Sequence, residues 1–142
     1  MVMEGSIPQR ASLRAWARER QARLLVVFGS AVAPEGRGPP SDLDIAVEFS
    51  ELPLPNERLE VVRELQALVD PLRVDVVFLR RDLDPVLRFE IFRSGQPLHE
   101  AEEGLMVRER VRALKEYQDA LPFRRLLIGH LDRMAREGTL VP

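Results

Sequence analysis

The sequence has no cysteine, two histidines, one lysine, one tryptophan and one tyrosine among its 142 residues. Without cysteine there can be no disulfide framework, no thiolate metal site and no thiol nucleophile. His99 and His130 are too few and too far apart to form a zinc site. There is no basic block either. The 21 basic and 23 acidic residues are spread along the chain, so direct nucleic-acid binding is not expected. No apolar run is longer than one strand, which argues against a membrane span or a secretory segment and gives a cytoplasmic expectation. The near-exclusive use of arginine over lysine fits either genome composition or ion-pair networks.

The chain is long enough for one domain with a real core and too short for two independent ones. It is organised around two stretches. The first, Leu24-Leu25-Val26-Val27-Phe28-Gly29-Ser30, reads as a buried strand delivering a tight turn, with Ser30 placed to cap a following helix. Such a helix start offers unpaired N–H groups and partial positive charge to a phosphate, and glycine lets the phosphate approach the backbone. The second comes after an eleven-residue gap: Asp42-Leu43-Asp44-Ile45-Ala46-Val47. Period-two alternation puts Asp42 and Asp44 on one strand face, where two like charges repel unless a cation lies between them. Hard carboxylate oxygens suit magnesium, commonly shared between one or two carboxylates and substrate phosphates.

A third acid, Asp75, interrupts the apolar run Arg73-Val74-Asp75-Val76-Val77-Phe78-Leu79. If that strand lies beside the Asp42–Asp44 strand, three carboxylates form a cluster able to hold two metal ions, an arrangement that suits in-line phosphoryl or nucleotidyl transfer. Between them, Leu59, Val62, Leu65 and Val69 mark a helix, with Asn56 as its expected N-cap and Asp70-Pro71 near its end. Strand, helix, strand predicts a parallel crossover.

Gly29-Ser30, the spacer, Ser41-Asp42-Leu43-Asp44 and Val74-Asp75-Val76 together resemble the signature of the DNA polymerase beta-type nucleotidyltransferases. The size is most similar to that of the minimal nucleotidyltransferase (MNT) antitoxins that pair with HEPN-domain toxins. The resemblance covers roughly residues 10 to 98. It implies that Gly29 and Ser30 contact nucleotide phosphates and that Asp42 and Asp44 bind magnesium. Asp75 would help bind a second ion and orient or deprotonate the attacking hydroxyl. The implied activity is transfer of AMP from ATP to a hydroxyl of a HEPN-type toxin, in a homo- or hetero-oligomer. Ala31, Val32 and Ala33 stand where family members often carry basic residues, and Arg37 is the first cation. A binding-only antitoxin therefore stays open as an alternative, as does transfer to a small molecule such as an aminoglycoside.

The expected fold is α/β (α+β), a small mixed sheet flanked by helices. Residues 1–100 form the nucleotidyltransferase core and 101–142 a C-terminal helical extension. A helix over Ser12–Arg23 carries Leu13, Trp16 and Ala17 on its apolar stripe, with Trp16 read as core. Another helix spans Asp82–Phe92, with Pro85 in its first turn after an Asp cap. Ser94-Gly95-Gln96-Pro97-Leu98-His99 turns into a short extended piece that closes the core, and His99 is not read as a catalytic base. In the extension, Val107, Val111, Leu114 and Leu121 mark a helix to about Ala120, where Pro122 is expected to break or restart it. Leu126, Leu127, Leu131 and Met134 mark a second segment. Both stripes either fold back on the core or dock on another subunit.

Overall fold

The computed structural model describes residues 7, 9–32 and 42–137. Its elements run α1 (Arg10–Glu19), β1 (Leu24–Phe28), a 3-10 turn (Gly29–Val32), β2 (Asp42–Glu48), α2 (Pro55–Val69), β3 (Arg73–Phe78), α3 (Pro85–Ser94), β4 (Gln96–Glu100) and α4 (Leu105–Arg136). The four strands form one sheet in the order β3-β2-β1-β4. β1 is antiparallel to both β2 and β4, while β2 and β3 are parallel and joined through α2. The sheet is mixed, as expected, and the parallel crossover is present.

The alternation along the strands sends side chains to two cores. Leu25, Val27, Leu43, Ile45 and Val47 pack with Leu13, Trp16, Val61 and Leu65 of α1 and α2. Leu24, Val26, Ala46 and Leu79 pack on the other face with Ile91 and Phe92 of α3 and Leu105, Met106 and Ala113 of α4. β1 is buried from Leu24 to Val27 because both of its faces are covered, which is why its sequence is continuously apolar. Trp16 is a core residue, in edge-to-face contact with Phe49 at 6.4 Å.

Several helix boundaries differ from expectation. α1 ends at Glu19 rather than Arg23, because Gln21 takes a left-handed conformation and the Ala22 N–H donates back to the Ala17 carbonyl at 2.9 Å. α2 is capped at Leu54, not Asn56. Pro55 occupies the first helical position, where its fixed φ is helical and its missing N–H is not needed, and Glu57 accepts from the Leu54 N–H at 2.8 Å. α4 runs unbroken through Pro122 to Arg136. Pro122 and Gln118 are both exposed, so the carbonyl that loses its donor one turn back opens onto water. α3 runs Pro85–Ser94 rather than Asp82–Phe92, but its start has the expected Asp cap, with Asp84 accepting from the Val86 N–H at 3.0 Å and Pro85 just inside. The expected fraying beyond Gly138 lies outside the described residues. No helix among the described residues is long and apolar enough to cross a membrane.

Candidate active site

β2 enters the sheet beside β1 and β3 in a register fixed by its buried residues Leu43, Ile45 and Val47 on one face. That register sends Asp42 and Asp44 to the opposite face, the one that α3 and α4 cover farther along the sheet. On β3, Asp75 is the register partner of Asp44, and on β1 the partner is Phe28. The structure therefore brings Asp44 and Asp75 side by side and places Asp42 two residues along on the same face. Asp42 and Asp75 are exposed and Asp44 is half-buried. Asp42 in turn has Arg73 as its register partner.

The electrostatics follow from this packing. The Asp44 carboxyl is raised above the ordinary carboxylate range, first by burial, then by the charges of Asp75 and Asp42, and last by a hydrogen bond shared with Asp75. Carboxylates this close disfavour one another's charge, and a cation bound among them would relieve that repulsion. Among the described residues no three acidic or histidine side chains converge as a ready-made metal cage. Magnesium does not need one, because it keeps several waters and completes its shell with substrate phosphates. The donor set, three hard carboxylates whose repulsion a cation would relieve, fits that ion.

Gly29 forms the floor. Its φ is +76°, and a Cβ added there would lie 3.2 Å from Asp44 Cγ and closer still to Oδ2. Glycine is required twice over, by the left-handed backbone and by the close approach of the Asp44 carboxylate. Ser30 is exposed in the 3-10 turn that follows. The turn is four residues long, and residues 33–41, including Arg37 and Ser41, lie outside the described set. A helix capped by Ser30 is thus seen only as this turn. His99, in β4, places Nε2 3.1 Å from the Ala22 carbonyl oxygen, a link between the sheet edge and the α1–β1 connection.

The arrangement of strand, glycine turn and paired acidic strands matches the polymerase beta nucleotidyltransferase family model over residues 13–104. The chain belongs to that family. Comparison with curated proteins found no match. Among solved structures, this nucleotidyltransferase is similar to a chain of a toxin–antitoxin structure with AMP-PNP, at 24% identity and a TM-score of 0.72, over 86% of this chain and 97% of the other. It is also similar to a chain of a tri-AMPylated Shewanella oneidensis HEPN toxin in complex with MNT antitoxin, at 23% identity and a TM-score of 0.70, over 87% and 95%. A third, the toxin–antitoxin MntA-HepT, gives 22% and 0.69 over 87% and 96%. At these identities the likeness establishes the fold.

The sequence reading passed over two neighbours of the acids. Arg73 supplies a cation position beside Asp42, and Phe28 supplies the apolar wall beside Asp44. Neither carries a motif of its own. Only the β1–β2–β3 register puts them next to the acids.

Proposed function

We propose that this family member transfers AMP from ATP to a hydroxyl of a HEPN-type toxin and thereby acts as its antitoxin. The observation that carries the reading is the Asp44–Asp75 pair on adjacent parallel strands, with Asp42 on the same face and Gly29 directly against Asp44. The similar structures, a tri-AMPylated HEPN toxin in complex with MNT antitoxin and a toxin–antitoxin with AMP-PNP, favour this acceptor and donor.

In this mechanism Gly29 lets the triphosphate approach the backbone of the turn, with Ser30 beside it as a hydroxyl donor. Asp42, Asp44 and Asp75 would hold magnesium, which when bound neutralises charge on the triphosphate and on the attacking and leaving oxygens. Asp75, the more exposed of the register pair, takes the proton from the acceptor hydroxyl. The hydroxyl oxygen forms a bond to the α-phosphorus, the bond from that phosphorus to the bridging oxygen breaks, and pyrophosphate leaves with the electron pair.

The test is incubation with ATP labelled at the α-phosphate, magnesium and a purified HEPN-type toxin, read by intact mass and by label retained on protein. A gain of AMP on the toxin, lost by orders of magnitude in both Asp44→Asn and Asp75→Asn, is expected. Undiminished transfer in either variant refutes the site. Label appearing only in a low-mass product without any partner protein would transfer the reading to a small-molecule acceptor.

A further inference from the structure

The carboxylate cluster occupies one end of the sheet, and the other end is concave as well. Asp44 pairs with Phe28 at one end of β1 and Glu48 pairs with Leu24 at the other, four residues and about 13 Å away at the strand rise. At that far end lies a cavity of about 380 Å³. Phe49, which packs with the first core, lines one side of it, and Leu79 of the second core lines the other, so the cavity spans the ends of the strands.

Its walls are basic. Arg23 comes from just before β1, Arg80 and Arg81 from the β3–α3 connection, Arg88 from α3 and Arg112 from α4. The two acids that line it are already engaged. Glu48 Oε2 accepts from Arg23 at 2.9 Å, and Glu109 accepts from Arg88 at 2.9 Å and lies 3.6 Å from Arg112. Arg80 pairs with the exposed Asp82 at 3.0 Å, while Arg81 makes no ion pair among the described residues. Even with Asp82 counted, five guanidinium groups face three carboxylates, in a chain whose acids outnumber its bases. Guanidinium groups gathered in this way repel one another, and an anion seated among them relieves the repulsion. Their forked N–H groups match the oxygens of a phosphate.

A second observation narrows the ligand. Glu48 Oε1 is sealed from water and has no hydrogen-bond partner among the described residues. A buried acceptor left in that state is costly. A bare anion would repel it, whereas a hydroxyl would donate to it. Phe49 and the exposed Leu52 add apolar surface for a carbon frame. The Arg88–Glu109 pair, nearly sealed from water, forms an inner wall that is set before any ligand arrives.

From the excess of arginine and the unpartnered Glu48 oxygen, we propose that this cavity binds a small phosphate monoester that also carries hydroxyl groups, a sugar phosphate or a nucleoside monophosphate. Arg81 and Arg112 hold the phosphate, and Glu48 Oε1 accepts from a hydroxyl. The site does not depend on nucleotidyl transfer and stands whether or not the carboxylate cluster is active.

The test is titration calorimetry of the full chain in EDTA, which keeps magnesium from the carboxylates, with ribose 5-phosphate, AMP, methyl phosphate and ribose as probes. The tighter of ribose 5-phosphate and AMP, which tells the sugar phosphate from the nucleoside monophosphate, should bind once per chain with a Kd of about 1 mM or below, weakening with added salt. Methyl phosphate, which has no hydroxyl, and ribose, which has no phosphate, should each bind at least about tenfold more weakly. Arg81→Ser and Arg112→Ser, both at exposed positions, should each weaken binding at least about tenfold and leave the ligand-free melting curve unchanged. Gly29→Ala, at the other end of the sheet, should leave binding intact. Methyl phosphate binding as tightly as the hydroxylated probes, binding that survives both arginine variants, binding lost in Gly29→Ala, or no binding of any phosphate probe would overturn the proposal.

Discussion

Gly29→Ala and Gly104→Ala make a matched pair that isolates the close approach at the carboxylate cluster. Both glycines sit in the left-handed region, at φ +76° and +83°, where an L side chain costs roughly 1–2 kcal/mol. An added Cβ at Gly104 meets nothing within 4 Å, whereas at Gly29 it meets the Asp44 carboxylate. In a chain of this size each kcal/mol lowers the unfolding midpoint by roughly 4 °C, so each variant should lose roughly 4–8 °C from backbone strain alone. At Gly29 the methyl also forces the carboxylate back by about 1 Å to reach an ordinary carbon–oxygen contact. Asp44 can yield by turning about its side-chain bonds, so little further stability is lost, but its oxygens leave the position in which they face Asp75. The assay is thermal unfolding with and without magnesium and ATP. Saturating ligand at a hundred times Kd stabilises the folded state by about 2.7 kcal/mol. Gly104→Ala should keep that ligand-induced rise in full and Gly29→Ala should lose most of it. A full ligand-induced rise in Gly29→Ala would refute both the close approach and the role given to Asp44.

Asp44→Asn should unfold, without metal, at a temperature equal to or above that of the parent near neutral pH. Because burial and the neighbouring acids hold the folded Asp44 carboxyl above its unfolded value, the folded state binds the extra proton. Its stability therefore falls as pH rises from the ordinary carboxylate range through the raised value. Pulse calorimetry across that window should show this slope in the parent and a flatter profile in the variant. Glu64 has the opposite sign. Its carboxyl is lowered by the hydrogen bond from Arg20, against a smaller effect of burial, with a further contribution from the Trp16 indole at 2.7 Å. Its stabilisation is in place above the ordinary carboxylate range and is lost as pH falls through the lowered value, so Glu64→Gln should flatten the acid limb. In the second core, Arg88 and Glu109 form an ion pair at 2.9 Å that is nearly sealed from water. Glu109→Met should cost about 3 kcal/mol by leaving the buried guanidinium with only the Arg80 carbonyl and the more distant Glu116 carboxylate, and Arg88→Met/Glu109→Met should recover most of it, as chemical denaturation can measure.

Much of the site was legible because its signals are local. A five-residue apolar run ending in Gly-Ser, two acids at strand spacing and one acid inside an apolar strand are patterns that short-range sterics and side-chain alternation impose on the sequence itself. The parallel β2–β3 pair was likewise legible, because a helix-length crossover between two strands leaves few other arrangements. Helix ends were read less well. The preference of proline for the first turn overrode an Asn cap at α2, and solvent at Pro122 overrode the proline break in α4.

The sequence alone determined which residues could carry charge-based chemistry, that they lie on strands, and that one mixed sheet with flanking helices would hold them. It could not determine register, because pairing is set by how two separate apolar faces fill their cores at once. Only the tertiary structure put Asp75, and not another β3 residue, opposite Asp44, set Gly29 against the same carboxylate, and buried Asp44 enough to raise its pKa. It was also the tertiary structure that divided α4 into a covered half and an uncovered half. The apolar spacing is continuous along that helix, and the split arises only because α3 stops short of it.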